Sequence, residues 1–399
     1  MPEAVIVSAV RTPIGRAHKG ALKDVRADDL AAIAVKAAVE RVPNLDRSLI
    51  EDVILGCAFP EGEQGMNVAR LVGALAGLPE TAGGVTVNRF CASSLQAVNM
   101  AAQNIMLGMG DVFVAGGIEN MSRVPMGGFN PSMNPRLIKQ SEEDADVDMP
   151  YPPSELEYGY FSYIPMGITA ENLAREYHIS REEQDAFALR SHRRAIAATD
   201  SGIFRREIVP VRLPNGNVME IDEGPRRDTS LEKLAALEPA FIKGGTVTAG
   251  NSSPLNDGAA VAVLMSAERA RYLGITPLAK VHTMAVAGVR PEIMGIGPVP
   301  AMRKALQRAG MQLSDIDIIE LNEAFAAQSL SVVKVLGIDE EKLNPHGGAI
   351  ALGHPLGCSG ARIIATLIND LQTRDKTWGI ATLCIGGGQG LATIVERLS

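Results

Sequence analysis

The chain has 399 residues, 46% of them hydrophobic and 21% charged, an ordinary globular composition long enough for two core-sized domains. Its formal net charge of −8 and its pI near 5.4 argue against a polyanion-binding face, and so against nucleic acid as a partner. No run approaches the roughly 18 uninterrupted apolar residues of a membrane span, and the four cysteines, Cys57, Cys91, Cys358 and Cys384, lack the close paired spacing of a metal knuckle or redox pair.

The N-terminus, MPEAVIVSAVRTPIG, carries an acidic residue and only a short apolar run before Arg11. It lacks the regions of a signal peptide and the arginine-rich amphipathic pattern of an organelle presequence, which predicts the cytoplasm and reduced thiols. A helix follows in LAAIAVKAAVE, then an acidic linker and apolar strand in LDRSLIEDVILGCAFP, then helical NVARLVGALAGL. The apolar VTV next runs through a tight turn at NRFC into the helix-compatible SSLQAVNMAAQNIML. Most free cysteines are buried small apolar groups. A sulfur at a helix start, however, faces unpaired backbone N–H groups and the positive end of the macrodipole, which favour the thiolate, so this placement predicts a nucleophile at Cys91.

After the strand DVFVAGGIE the composition changes. From about Glu119 to Lys243 the chain is rich in Met, Pro, Tyr and charge, with an acidic EEDADVDMP and a helical REEQDAFALRSHRRAIAA, as in a functional cap inserted into a core. The apolar α/β style resumes at Gly245 in GTVTAGNSSPLNDGAAVAVLMS. The first pattern then repeats weakly, as helical VPAMRKALQRA, an acidic linker and strand in LSDIDIIELNEAFA, helical SLSVVKVLG and a glycine-ended strand in GIATLCIGGGQG. A duplicated α/β domain explains the repeat, and strands that are apolar without alternation predict helices on both sheet faces. The expected division is a first half at 1–118, an insertion at 119–244, a segment completing the first half at 245–271 and a second half at 272–399.

Two glycine-bearing runs near the C-terminus carry further chemistry. In GGAIALGHPLG, Gly353 and Pro355 suggest a rigid turn around His354. His346 in NPHGG competes with it, and a lone histidine is more often structural than catalytic. In CIGGGQG, the glycines after Cys384 allow backbone N–H groups to point at a substrate oxygen, although a plain turn explains them equally well. Read alone, LNEAFAAQ is a helix start with Asn322 or Glu323 at its end. The combination suits acyl-thioester chemistry, in which Cys91 holds an acyl group, His354 makes the sulfur nucleophilic and Cys384 moves a proton.

VNRFCASS, LNEAFAAQ, GHPLG and CIGGGQG, in this order, resemble the thiolase family, and the resemblance runs from AVIVSAVRTPIG to the final glycines. It implies two similar α/β halves stacked as helix, sheet, helix, sheet, helix, with a loop domain inserted in the first. It implies that Cys91 is the acylated nucleophile, that His354 rather than His346 is the catalytic imidazole, and that Cys384 is the acid/base at the α-carbon of acetyl-CoA. The Gly386 and Cys91 N–H groups then cradle one thioester oxygen, while Asn322, through a water, and His354 form a second oxyanion hole. For coenzyme A the resemblance points to Arg226 at the nucleotide end, Ser253 at the pantetheine amides, and Met166, Ala324 and Phe325 along the apolar arm. Coenzyme A and acyl-CoA thioesters are substrates, and no metal or separate cofactor is implied.

Family members are usually homodimers or homotetramers, some with a hydratase/dehydrogenase subunit. Thiolases specialised for acetoacetyl-CoA commonly carry His before the Met of MG-x-TAEN, where this chain has Pro165, and GGIENMSRVPMGG is more like the degradative members. The expected activity is therefore that of a 3-ketoacyl-CoA thiolase. The rivals are an acetoacetyl-CoA-forming acetyltransferase, more remotely a ketoacyl-carrier-protein synthase, and a non-catalytic thiolase-like lipid or CoA carrier, against which Cys91, His354 and Cys384 argue together.

Overall fold

The computed structural model describes residues 2–134 and 163–399; the acidic run at 142–150 lies outside them. The first half supplies β1 (Ala4–Arg11), β2 (Gly15–Arg16), α1 (Ala27–Glu40), β3 (Asp52–Gly56), α2 (Val68–Leu75), β4 (Gly83–Val87), α3 (Ser93–Met106) and β5 (Val112–Asn120). Next come α4 (Met166–Glu176), α5 (Arg181–Asp200), the short β6 (Val211–Arg212) and β7 (Val218–Met219), and α6 (Leu231–Ala235). β8 (Asn256–Ser266) and α7 (Ala267–Leu273) lead to β9 (Ala279–Gly288), α8 (Pro298–Ala309), β10 (Ile318–Leu321) and α9 (Ala326–Leu336). The chain ends with α10 (Ala349–Leu352), α11 (Ser359–Thr373), β11 (Trp378–Ile385) and β12 (Gln389–Arg397).

The internal repeat is visible in the strand order. The first half forms a sheet in the order β1, β8, β5, β3, β4, and the second half repeats it as β9, β12, β11, β10. In each half the long returning strand, β8 or β12, is antiparallel to its neighbours, while β3 and β5, like β10 and β11, run parallel. Where β4 pairs with β3 in the first half, the second has only a parallel bridge between Ile319 and Leu343. The two sheets touch at one edge, where Val5 pairs with Lys280 and Ile6 with Ala279.

Apolar runs without alternation bury both faces of these sheets, as expected for strands covered on both sides. Every residue of β5 and β8 is buried. One core, with Leu30, Val35 and Val72, packs α1 and α2 against the outer face of the first sheet. A second, with Leu95, Val98, Ile363 and Leu367, places α3 and α11 between the sheets, and a third sets α8 and α9 on the outer face of the second. The result is a five-layer αβαβα stack with α3 and α11 in its middle layer.

The insertion is fastened to the first strand by a buried ion cluster. Arg11, at the end of β1 and fully buried, donates through Nε to Glu207 at 2.5 Å and through its other two nitrogens to both oxygens of Asp222 at 2.7 and 2.9 Å. Thr366 and Asn369 of α11 also donate to Glu207, so three segments meet there. Burial works against the guanidinium charge, but the two carboxylates outweigh it and raise the Arg11 pKa. Removing Asp222 leaves Arg11 paired with Glu207 alone and strips the Arg11 terminal nitrogens and the Ile14 N–H of their buried carboxylate acceptor. Asp222→Ala should therefore lower the unfolding free energy by about 3 to 5 kcal/mol in chemical denaturation; a change below about 1 kcal/mol, the range of exposed pairs, would show that the cluster is screened by solvent.

Candidate active site

Cys91 sits in a single 3-10 turn, Phe90–Ala92, that leads directly into α3. The turn is strained: Phe90 has φ of 43°, an unusual value for a bulky residue. The Ser93 hydroxyl donates to the Phe90 carbonyl at 2.6 Å and accepts the Arg89 N–H at 2.9 Å, which closes the turn from both sides. The sulfur is thereby presented at the N-terminal end of a buried helix.

His354 belongs to the equivalent end of α11. Gly353 before it has φ of 110°, and a β-carbon there would stand 2.6 Å from the Asn256 side chain, so the turn requires glycine. The same Asn256 accepts the His354 backbone N–H at 2.9 Å. On the imidazole, Nε2 lies 3.2 Å from Asn322 Nδ2 and Nδ1 lies 2.6 Å from Ser359 Oγ. The two helix starts are laced together by the Ala361 N–H, which donates to Ser94 Oγ at 2.9 Å. Gly357, between His354 and α11, donates to buried Glu119, which also accepts from Ala58 and Gln64 near the end of β3.

Cys384 is the penultimate residue of β11 and fully buried. Its thiol is close enough to Cys91 for charge on one to oppose charge on the other. The Gly386 N–H reaches the Cys91 sulfur, and a β-carbon on Gly386 would lie 3.6 Å from Met166 Sδ. Asn322 is tied to the same strand by its backbone N–H, which donates to Thr382 at 3.0 Å. Thus Cys91, Cys384 and Gly386 form one group at the ends of α3 and β11 and Asn322 and His354 another at β10 and α11, joined by the Ala361–Ser94 and Asn322–Thr382 bonds.

Met166, Ala324, Phe325 and Cys384 share one apolar cluster. Phe325 also meets Phe241 edge-on, with ring centroids 6.0 Å apart, and the half-buried Ser253 donates its backbone N–H to Ala324 at 2.9 Å. Arg226 stands outside this group: it is exposed, and its backbone N–H donates to His192 Nδ1 on α5 at 3.2 Å. His346, expected to be a loop residue without a role, is in a turn but buried, paired with Asp370 and edge-on to Phe204. It serves packing. Among the described residues, no group of three or more His, Cys, Asp or Glu side chains is placed to hold a metal.

The electrostatics correct one expectation. The helix start was expected to favour a thiolate, yet burial pushes the Cys91 thiol up to about 11, with the Gly386 and Cys91 N–H groups only partly opposing it and Glu119 adding to it. Burial, helped by the Arg362 charge, lowers His354 to about 3. Cys384 is raised well above an ordinary thiol by burial and by Cys91. Desolvation outweighs the helix end here, and the free site holds two thiols and a neutral imidazole.

Sequence reasoning missed Ser359, Asn256, Glu119 and Glu323. Glu323 is buried beside Asn322 and accepts from Ser191 of α5 at 2.6 Å, from Asn344 at 2.8 Å and from the Ile350 N–H at 3.2 Å, so it ties the insertion to the loop before His354. Of these four, Glu323 was considered only as a helix end, whereas α9 starts at Ala326 without a side-chain cap, and Ser359 lies five residues after His354 in GHPLGCSG. A serine at a helix start reads as a cap and hides the second use.

Comparison with known proteins gives a consistent result. Residues 4–268 match the thiolase N-terminal domain and residues 275–397 the thiolase C-terminal domain. The chain is 49% identical to the 3-ketoacyl-CoA thiolase of Bacillus subtilis strain 168, over 99% of this chain and all of that one. It is 51% identical, over the full length of both, to the 3-ketoacyl-CoA thiolase of Shewanella denitrificans. A crystal structure of the Bacillus anthracis acetyl-CoA acetyltransferase superposes with a TM-score of 0.88 at 43% identity, covering 100% of this chain and 99% of that one.

A thiol raised to about 11 should react as a thiolate only in alkali. Alkylation of Cys91 by iodoacetamide in the substrate-free protein should climb steadily from neutral pH towards about pH 11. A rate already at its plateau near neutral pH, read by peptide mass spectrometry, would mean a preformed thiolate–imidazolium pair.

Proposed function

This chain belongs to the thiolase family, and on that premise we propose that it is a 3-ketoacyl-CoA thiolase, an acetyl-CoA C-acyltransferase serving fatty-acid β-oxidation. Full-length similarity near 50% to proteins of that name supports the activity. The observation that carries the chemical reading is the buried pair of thiols, Cys91 and Cys384, with the Gly386 N–H at the Cys91 sulfur.

Because Cys91 is a thiol and His354 a neutral base, proton removal accompanies bond formation. The Cys91 proton passes to His354 Nε2 as the sulfur attacks the 3-keto carbon of the substrate. The alkoxide collapses, the bond between carbons 2 and 3 breaks, and its electron pair becomes the enolate of acetyl-CoA. Cys384 protonates that enolate at carbon and is left as a thiolate, and acetyl-CoA departs. Free CoA gives its thiol proton to Cys384 and attacks the acyl-Cys91 carbonyl. Cys91 leaves as thiolate and recovers its proton from His354, so both cysteines and the histidine return to their starting state.

In this scheme the Gly386 and Cys91 N–H groups hold one developing oxyanion, and His354 with Asn322 holds the other; removing a donor of this kind typically costs about 3 kcal/mol of transition-state stabilisation. Asn322 Oδ1 is buried without a protein partner, which suits a bound water there. For CoA we assign Met166, Ala324 and Phe325 to the apolar arm, Ser253 to the pantetheine amides and Arg226, exposed on the insertion, to the nucleotide end. The proposed organisation keeps halves at 1–118 with 245–271 and at 272–399, and an inserted cap at 119–244. Its four cysteines are free, in keeping with the cytoplasm, and a homodimer or homotetramer, with or without a hydratase/dehydrogenase subunit, is the assembly to test.

If Cys91 carries the acyl group, brief incubation with an acyl-CoA in the absence of acceptor will label Cys91, as mass spectrometry of its peptide will detect. Cys384→Ser should still acylate at Cys91 yet lose most of its turnover, the signature of one step removed from two. Label on Cys57 or Cys358 with Cys91 untouched would sink the assignment, and equal loss of acylation and turnover would move Cys384 into generating the nucleophile.

A second reading, an acetoacetyl-CoA-forming acetyltransferase, is favoured by the likeness to the Bacillus anthracis structure. The two separate on chain length. Pro165, where a histidine would mark the four-carbon enzymes, is exposed at the start of α4 beside Met166. Space there would admit a longer acyl chain, each buried methylene favouring binding by about 0.8 kcal/mol. We expect a higher kcat/KM for a medium-chain 3-ketoacyl-CoA than for acetoacetyl-CoA; thiolysis confined to the four-carbon substrate would select the second reading.

A further inference from the structure

Ser359 is the first residue of α11, fully buried, and its hydroxyl has two neighbours. Oγ lies 2.9 Å from the Pro355 carbonyl and 2.6 Å from His354 Nδ1. A serine has one proton to give. With that proton directed to the Pro355 carbonyl, the oxygen is left to accept, and His354 Nδ1, 2.6 Å away, suits it as an N–H donor. The other side of the ring is compatible with this: the Asn322 amide faces Nε2 at 3.2 Å and, with its nitrogen turned to the ring, donates to a lone pair on Nε2.

We propose that Ser359 is a positioning residue that holds His354 in its Nδ1–H tautomer, so that Nε2 presents the lone pair that takes the Cys91 proton. The proposal rests on the reading of His354 as the base. It adds how a neutral, deeply buried imidazole is kept in the one tautomer that can serve. Without a partner on Nδ1 the ring would divide between tautomers, and in the other one Nε2 already carries a proton and can accept none. The same oxygen also steadies the charge when it forms, because an imidazolium Nδ1–H donates more strongly than a neutral one. The logic is that of an acceptor on the far nitrogen of a catalytic histidine, here a neutral hydroxyl in place of a carboxylate. A carboxylate would raise the imidazole pKa, whereas a hydroxyl fixes the ring while leaving it uncharged in the free enzyme.

The hydroxyl is itself held in place. Pro355 is part of the turn fixed by the Gly353–Asn256 contact, and the Ser359 N–H donates to the same Pro355 carbonyl at 3.0 Å. Side chain and backbone of Ser359 thus grip one carbonyl, which points the hydroxyl proton away from the histidine.

Kinetics and spectroscopy test this together. Ser359→Ala should lower kcat for thiolysis of a 3-ketoacyl-CoA by about 10- to 100-fold, the range for a hydrogen bond to a group that becomes charged. KM should stay within about two-fold, because no substrate contact is lost. Ser359→Thr, which keeps the hydroxyl, should recover most of kcat, and a role confined to starting the helix would produce neither the kcat-only effect nor the tautomer. On the unaltered protein labelled with 15N only at histidine, solid-state NMR should show His354 protonated at Nδ1 and bare at Nε2, its signal being the one lost in His354→Asn. Wild-type kcat in Ser359→Ala overturns the proposal, and so does an Nε2–H tautomer at His354. If neither substituted protein folds, the tautomer of the unaltered protein decides. Absence of thiolysis in the unaltered protein would instead count against the proposed activity, and the tautomer result would stand independently of it.

Discussion

The N-terminal ends of α3 and α11 meet at backbone contact distance in the middle layer, and that meeting decides where chemistry is possible. A β-carbon added to Gly360 of α11 would lie 2.3 Å from the Leu95 backbone nitrogen of α3, so the approach depends on glycine. Close packing of this kind leaves no solvent between the helices. Each half of the duplicated fold brings one helix start to the contact, the first carrying Cys91 and the second following His354. The β11 strand closes the remaining side with Cys384 and Gly386. The proposed catalytic set is therefore drawn from both halves of the chain, and neither half contains it alone.

Burial at that contact has a second consequence. Cys91 stands at a helix start, yet desolvation is the leading cause of the shifts of Cys91, His354 and Cys384. The thiol at about 11 and the imidazole at about 3 are the result. The site is thus built to stabilise charge only when substrate oxygens and carbon acids share it, through N–H groups already in place. Preorganised donors of this kind need no reorganisation at the moment of reaction. The restraint also protects the protein, because a standing thiolate beside a second cysteine would be open to oxidation.

Much of the fold and of the candidate site was legible in the chain, for reasons that differ by residue. Strands such as VFVAGGIEN and NDGAAVAVLMS are apolar throughout, and such runs have one stable home, a sheet covered on both faces. The duplication showed because both halves repeat one local order of helix, linker and strand. Cys91 was marked by the strand, turn and helix start around it, whereas His354 and Cys384 were singled out by the resemblance of GHPLG and CIGGGQG to thiolase motifs. Arg11 gave no such signal: its partners Glu207 and Asp222 are 196 and 211 positions away, in the inserted segment. Asn256, 98 residues from His354, is of the same kind. The missing β4 equivalent in the second half was equally invisible, because a single bridge at Leu343 leaves no run of strand-like residues to notice. The Cys91 pKa was misjudged since the sequence reveals a helix start and says little of how dry its surroundings are.

Neutrality of the free site bears on direction. With both cysteines protonated and His354 unprotonated, the proposed cycle begins and ends uncharged, and the acyl-enzyme between its two half-reactions holds a Cys384 thiolate and a protonated His354. In the proposed scheme Cys384 delivers a proton to carbon in cleavage and removes it in condensation, with the same neighbours and the same proposed oxyanion donors in each sense. A single catalytic set thereby serves both thiolysis and its reverse, and the direction of flux is left to the concentrations of CoA and its thioesters. This also accounts for two thiols where one nucleophile would suffice: the acid at carbon must be reset by CoA, whose own thiol proton is the one that Cys384 needs.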